Sequence, residues 1–302
     1  MLLILFTTAI LYLYAGISSM QRFSKSVTVA CTSEGALRVL VYESGSKQGW
    51  PGEKQNDSMY RFEELQYAVG NTLINVTDLH FENKGNAEFV IEETTADSSR
   101  FTINYLQQLP LNPLSRIKNY TSMQETKRSL EALLREMKKN FDGEELIYGI
   151  KISTTRVTDS TMISTRKLLT HYPTVAEVYE EIDAIRKYIK NNAGEETSAP
   201  MLNVFEEGKD QYLLMVAVPT KTNIKGDETF LQKRMLTNGF ILVSEVTGGG
   251  ITIKKAEQAL RQYVTDHRKT SPAIPFQMLL TDRREETDTS KWKTRLYYPV
   301  MY

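Results

Sequence analysis

Residues 144–302 carry one order of elements twice, and a duplicated unit restricts a chain to architectures in which two like halves share a core. The first copy has a strand near Thr161–Leu169, then His171-Tyr172-Pro173 and a helix. The second has a strand near Gly239–Val246, then Gly248-Gly249-Gly250 and a helix. Thr174-Val175-Ala176-Glu177 opens the first helix as a capping box, the hydroxyl accepting an orphan N–H and the carboxylate reaching back. Its apolar face is Val175, Val178, Ile182, Ile185 and Ile189. The second helix shows Ile253, Ala256, Leu260, Tyr263 and Val264. Each helix leads to a Pro-led strand, Ala199-Pro200-Met201 or Ile274-Pro275-Phe276. A further strand follows in each copy, Tyr212–Pro219 or Lys293–Pro299. Strand, helix, strand, strand twice over predicts two α+β halves around a pseudo-two-fold axis, with a groove between them as the natural ligand site.

Composition narrows what such a body can do. The 302 residues are 41% apolar and 25% charged, enough to bury a core in each of two domains. Lys+Arg and Asp+Glu are both 37, so no whole-protein positive field exists to hold nucleic acid, and no nucleic-acid partner is expected. A lone cysteine, Cys31, excludes an internal disulfide framework. His80, His171 and His267 are too dispersed for a histidine-rich metal centre. No metal, cofactor or catalytic residue is expected. No G-x-S-x-G occurs, and Gly248-Gly249-Gly250 lacks the spacing of a phosphate loop. A positive-φ turn explains those glycines better. The run Arg283–Asp288 reads as a solvated turn.

The N-terminus stands apart. Met1 to Ile17 has no charged side chain and covers roughly 25 Å as a helix, slightly short of a bilayer core of about 30 Å. No basic region precedes it, as a signal peptide would require. Residues 1–17 are therefore expected to be a single-pass membrane segment. Arg22 and Lys25 just after it favour the cytoplasmic side for the soluble domains. Residues 18–26 are polar and are expected to be a tether.

The first domain, 27–141, starts with a strand at Val27–Val29 and a helix over Ser33–Glu43, followed by a Gly/Ser/Pro-rich loop centred on Trp50-Pro51. Short β runs follow: LQYAV, NTLINVTDLHFE, AEFVIEETT and RFTINYLQQL. A long helix over about Thr121–Asn140 carries Met123, Leu130, Leu133, Leu134 and Met137 on one face. This order predicts an antiparallel sheet wrapped around a C-terminal helix. The opening strand and helix, Gly49-Trp50-Pro51, and Asn112-Pro113-Leu114-Ser115-Arg116 before the long helix resemble the START-like (SRPBCC) helix-grip superfamily. That resemblance implies an apolar ligand cavity between sheet and helix.

The second domain, 145–302, resembles the gyrase-inhibitor-like (GyrI-like) small-molecule-binding domain, the effector-binding domain of bacterial transcription activators. The residues that carry the likeness are Tyr172-Pro173, Val216-Ala217-Val218-Pro219, the helix Ala256–Val264, Leu280-Thr281-Asp282, Asp288-Thr289 and Leu296-Tyr297-Tyr298-Pro299-Val300. No helix-turn-helix accompanies it. The resemblance implies a ligand groove reached by Gln277, Trp292, Tyr298, Tyr172, Tyr179 and Tyr212. Members of that family usually place a glutamate where this chain has Gln277. A neutral amide lacks a carboxylate's pull on cations and cannot act as a general acid or base at ordinary pH.

The fold class expected is α+β: an N-terminal membrane helix, a helix-grip domain, then a duplicated effector-binding domain. The function expected is non-catalytic binding of a small, mostly apolar ligand by a membrane-tethered protein. Two alternatives are a hydrolase or cyclase acting on a small hydrophobic substrate, and an interaction module whose grooves are closed by its own side chains.

Overall fold

In the computed structural model the polar stretch expected to be a tether is most of a strand. β1, Met20–Val29, pairs antiparallel with β7, Ser98–Gln108, over ten residues. The expectation failed because β1 lies at the edge of its sheet and buries little before Val29. Backbone ladder bonds hold it, and hydrophobic patterning does not register those. The structure describes residues 8, 12, 14, 16, 18–43, 48–81, 85–143, 145–157, 161–235 and 239–301. Most of the 1–17 run thus lies outside the described residues; Thr8, Tyr12, Tyr14 and Gly16 are helical. Among the described residues no helix is long and apolar enough to cross a membrane. The chain divides into two compact units, Met1–Ile147 and Tyr148–Tyr302.

The first unit is a seven-stranded antiparallel sheet in the order β1-β7-β6-β5-β4-β3-β2. Its remaining strands are β2 (Glu53–Lys54), β3 (Met59–Phe62), β4 (Leu65–Leu73), β5 (Val76–Phe81) and β6 (Gly85–Thr95). The run NTLINVTDLHFE, read as one strand, is split between β4 and β5 by a turn at Ile74 and Asn75. Ile74 takes φ 58° there and projects into solvent, and Asn75 Nδ2 donates to the Ile91 carbonyl at 2.8 Å. A β-branched residue at positive φ is a rare turn former, so propensity alone misses it. The short helix Ser33–Leu37 continues as a π-helical turn over Arg38–Tyr42.

The long helix runs Pro113–Phe141, starting earlier than its apolar stripe indicates. Asn112 is its N-cap, accepting from the N–H groups of Leu114 and Ser115 at 3.1 and 3.2 Å. Pro113 occupies the first position, where a missing N–H costs nothing. Met123, Leu130, Leu133, Leu134, Met137 and Phe141 are buried. Ring contacts Trp50–Phe89, Phe89–Phe101 and Phe101–Phe141, at 5.2, 5.4 and 5.5 Å, lead from the Trp50 loop across the sheet to the end of this helix. Trp50 is 1% exposed and donates to the Leu40 carbonyl, so it anchors its loop into the core.

The second unit is an eight-stranded antiparallel sheet in the order β12-β9-β11-β10-β14-β15-β13-β8. The first repeat supplies β9 (Thr161–Leu169), a helix (Val175–Asn191), β10 (Met201–Glu206) and β11 (Tyr212–Thr220). The second supplies β13 (Phe240–Thr247), a helix (Gly250–Asp266), β14 (Phe276–Leu279) and β15 (Lys293–Val300). The order 9-11-10 meets 14-15-13 in mirror sequence, and the repeats join where β10 pairs with β14, Leu202 opposite Gln277. β8 (Ser153–Arg156) and β12 (Leu231–Arg234) extend the two edges. The first-repeat helix packs on Ile163, Leu202, Leu214, Val216 and Leu279; the second packs on Leu242, Val246, Leu296 and Val300. Leu279 and Gln277 pair with Thr294 and Leu296, which puts both helices on one face of the sheet. Gly248, at φ 148°, turns the chain into the second helix, and a Cβ there would meet Thr252 within 2.7 Å.

Candidate functional site

Between the two helices of the second unit, over the β10–β14 junction, lies a groove of about 810 Å³. Its floor includes Leu202 and Gln277. One wall carries Tyr172, Val175 and Tyr179 from the first repeat; the other carries Ile253, Lys254, Glu257 and Arg261 from the second helix. Tyr212, Phe276, Arg283 and Trp292 also line it. Tyr172 and Tyr212 meet edge to face at the rim, 5.8 Å apart. Such a mixture of aromatic wall and a few convergent polar groups is what small-molecule sites are made of. The opposite face of the sheet carries a second, methionine-lined trough of about 500 Å³, formed around Met162, Met201, Met215 and Met235. It is the more apolar of the two but lacks a comparable convergence of charged and hydrogen-bonding groups.

Of the six residues singled out in the sequence, Gln277, Trp292, Tyr172, Tyr179 and Tyr212 line the groove. Tyr298 does not. It shares the helix-bearing face of β15 with Leu296 but sits one step further along, packed against the core under the second helix. Two-residue alternation finds the right face of a strand and says nothing of position along it.

Gln277 is only 7% exposed, and its amide is used at both ends. Nε2 donates to Glu257 Oε1 at 2.9 Å, and Oε1 accepts from Arg283 Nη2 at 3.4 Å. A carboxylate and a guanidinium thus flank the neutral amide. Burial pushes the Glu257 carboxyl up from its ordinary value; Gln277, Arg261, Lys254 and Arg283 pull it part of the way back. Burial holds Arg283 below the usual guanidinium range. Its guanidinium lies over the Trp292 ring, 4.8 Å from the centroid, and Nη2 also donates to the buried Thr294 hydroxyl at 3.0 Å. Trp292 is itself fixed by its Nε1–H, which donates to the Glu286 carbonyl at 2.8 Å. Tyr179 holds the turn that carries Arg283: its hydroxyl donates to the Thr281 carbonyl and accepts the Arg283 backbone N–H.

Glu257 and Arg283 were missed, yet the duplication holds a signal for Glu257. The two helices start at Val175 and Gly250 and the Pro-led strands at Pro200 and Pro275, so one constant offset relates the repeats. Under it Val178 matches Ile253, Ile185 matches Leu260 and Ile189 matches Val264, apolar with apolar. Ile182 matches Glu257, and Leu202 matches Gln277. Ile182 and Leu202 are buried in the core of their repeat, at 0% and 3% exposure. Polarity has thus entered one repeat at two positions whose side chains touch each other.

No protein-family model and no curated protein matches the sequence. Among solved structures the chain is similar to the C-terminal domain of EcmrR, at 14% identity over 50% of this chain and 98% of that one, with a TM-score of 0.43. It is similar to a hydrolase from Listeria innocua at 12% identity, covering 50% and 92% of the two chains, TM-score 0.39. SAV2435 bound to tetraphenylphosphonium matches at 12% identity over 50% and 94%, TM-score 0.32. At such identity and overlap these likenesses carry no conclusion about ligand or activity.

Proposed function

We propose that the second unit is a small-molecule-binding domain of the gyrase-inhibitor-like kind, and that its groove holds a small, mostly apolar molecule without transforming it. The observation that carries this reading is the groove itself: about 810 Å³, walled by tyrosines and Trp292, with a fixed polar line on its floor. That volume lies within the range of sites that enclose most of a drug-sized molecule. The first unit is read as a START-like domain and residues 1–17 as a single-pass membrane anchor with the soluble units on the cytoplasmic side; both rest on the sequence.

Calorimetric titration of the full chain with neutral biphenyl-4-carboxamide tests the groove. Saturable one-site binding is expected, weakened by Trp292→Ala, since truncating an aromatic wall removes ring contact worth about 0.5–1.5 kcal/mol beyond its area. Absence of binding by this amide and by its charged analogues would refute the reading.

One observation favours a second reading, hydrolysis. Glu257 is a carboxyl whose proton affinity burial has raised, in a groove wide enough for a substrate. A carboxyl raised by burial and reaching a ligand-sized groove is a candidate general acid. Turnover of an ester or strained-ring substrate that disappears in Glu257→Gln, with binding retained, would establish it.

A further inference from the structure

Two adjacent arginines in the second unit are treated in opposite ways. Arg284 reaches two carboxylates, Asp183 at 2.7 Å and Asp282 at 2.9 Å, and lies over the outer Tyr179 ring. Arg283 turns into the groove and has no carboxylate within 4 Å among the described residues. It is nonetheless fixed at three points: the Trp292 face, the Thr294 hydroxyl and the Gln277 amide oxygen. All its side-chain hydrogen bonds are made by Nη2, which leaves Nη1 and Nε without a protein acceptor among the described residues.

A cation held this way is costly unless something completes it. Glu257 does not fill that role. Gln277 stands between the two, and Glu257 is already balanced by Lys254 and Arg261, one turn to either side on its own helix. Lys254 and Arg261 line the groove together with Glu206 and Glu257, so Arg283 leaves the lining with three cationic side chains against two carboxylates, a balance that favours an incoming anion. Nε and Nη1 each keep an N–H to offer, and a carboxylate oxygen can take a charge-assisted hydrogen bond from either.

We propose that Arg283 is an anion anchor and that the groove selects amphipathic carboxylates, an aromatic or aliphatic body against the tyrosines with its carboxylate on Arg283. This rests on reading the groove as the ligand site. The preference is opposite in sign to that expected where a glutamate occupies the strand position of Gln277.

The test compares three molecules of one shape on the full chain: biphenyl-4-carboxylate, biphenyl-4-carboxamide and 4-phenylbenzylammonium. Calorimetry is expected to rank them acid, amide, ammonium, with the acid tighter than the amide by about tenfold to a hundredfold, the range for a hydrogen bond to a charged group. Arg283→Gln should abolish that margin, so that acid and amide bind alike. Arg283→Lys, which keeps the charge and loses the planar group held over Trp292, should retain part of it, and it decides the matter if the glutamine variant does not fold. Arg295→Gln removes the same net charge at the Glu245 ion pair on the other face, and should retain the whole margin. If amide and acid bind equally, or the ammonium binds best, the anchor is refuted while the groove remains a ligand site. If none of the three binds, the groove reading itself falls.

Discussion

Giving the second repeat the residues of the first, Glu257→Ile with Gln277→Leu, should leave the second unit at least as stable as the native chain, while either change alone should weaken it. Gln277→Leu removes the only hydrogen bond that the Glu257 side chain makes among the described residues, the 2.9 Å contact to Oε1. Losing a bond to a buried charged group costs about 1.5–3 kcal/mol. The leucine returns part of this through extra apolar burial, at about 0.8 kcal/mol per methylene. A net loss of about 1–2 kcal/mol is expected from these two terms. Glu257→Ile leaves the Gln277 N–H without its acceptor, a penalty of about 1–3 kcal/mol, offset by removal of a desolvated carboxyl. In the double variant neither polar group remains, and Ile182 with Leu202 shows that this pair packs in the same fold at nearly zero exposure. Replacing a buried polar pair by apolar residues of similar volume is often neutral or stabilising by about 1–4 kcal/mol. The cycle should therefore show a coupling of about 2 kcal/mol or more in favour of the double variant. The chain has two tryptophans, Trp50 in the first unit and Trp292 in the second. Urea unfolding followed by fluorescence in a Trp50→Phe background thus reports the second unit alone. Stability losses that simply add would refute the reasoning, because Glu257 and Gln277 would then be supports of the fold and not an asymmetry kept for a ligand.

The pH dependence of the same transition carries a sign. Burial raises the Glu257 carboxyl above its ordinary 4.5, so the native state keeps that proton to higher pH than the unfolded chain does. Between those two values the native state binds more protons, and stability falls as pH rises through the window. Wild type minus Glu257→Gln should show this decline across the acid range in unfolding titrations, and a flat difference would contradict it. At the N-terminus, cell fractionation with and without residues 1–20 should move the protein from the membrane to the soluble fraction. Uncleaved full-length protein in the soluble fraction would remove the anchor.

What was legible in the sequence followed hydrophobic periodicity and local chemistry. The capping box at Thr174 and Glu177 is present, with reciprocal bonds of 2.8 and 3.3 Å. The apolar stripes of all three long helices fall on buried positions, Met123 to Phe141 in the first unit and Val178 to Ile189 and Ile253 to Val264 in the second, with Val175 and Tyr263 only half-buried. Elements made by backbone bonds at a sheet edge left no such trace. β1 reads as a polar tether, and β12, with exposed Gln232 and Arg234, pairs along only four residues. The early start of the long helix was hidden for a different reason: its first turn carries no buried apolar residue, and the signal lay in the Asn112 cap and Pro113.

The site divides along the same line. An aromatic at the end of a strand or before a helix can be placed near a groove from its element alone, and five of the six singled out do line it. Charge cannot be placed so simply. Arg283 and Arg284 stand in one run, Arg283–Asp288, that reads as a solvated turn, and for Arg284 a surface reading holds. Arg283 goes inward because the Tyr179 hydroxyl, distant in sequence, takes its backbone N–H at 2.8 Å and so fixes the turn. Trp292 then offers a ring face to the guanidinium from the start of β15. No local pattern encodes either partner. Glu257 is the opposite case, since its helix has a copy in the same chain. Aligned on that copy, the buried isoleucine and valine positions of its stripe are apolar except the one that faces Gln277, itself the one polar mismatch between Met201-Leu202 and Phe276-Gln277; buried Tyr179 is matched by Lys254 on the groove wall. Two halves built from one pattern share the constraints of packing. A contacting pair that departs from the pattern in only one half is therefore a sign of what that half does beyond folding.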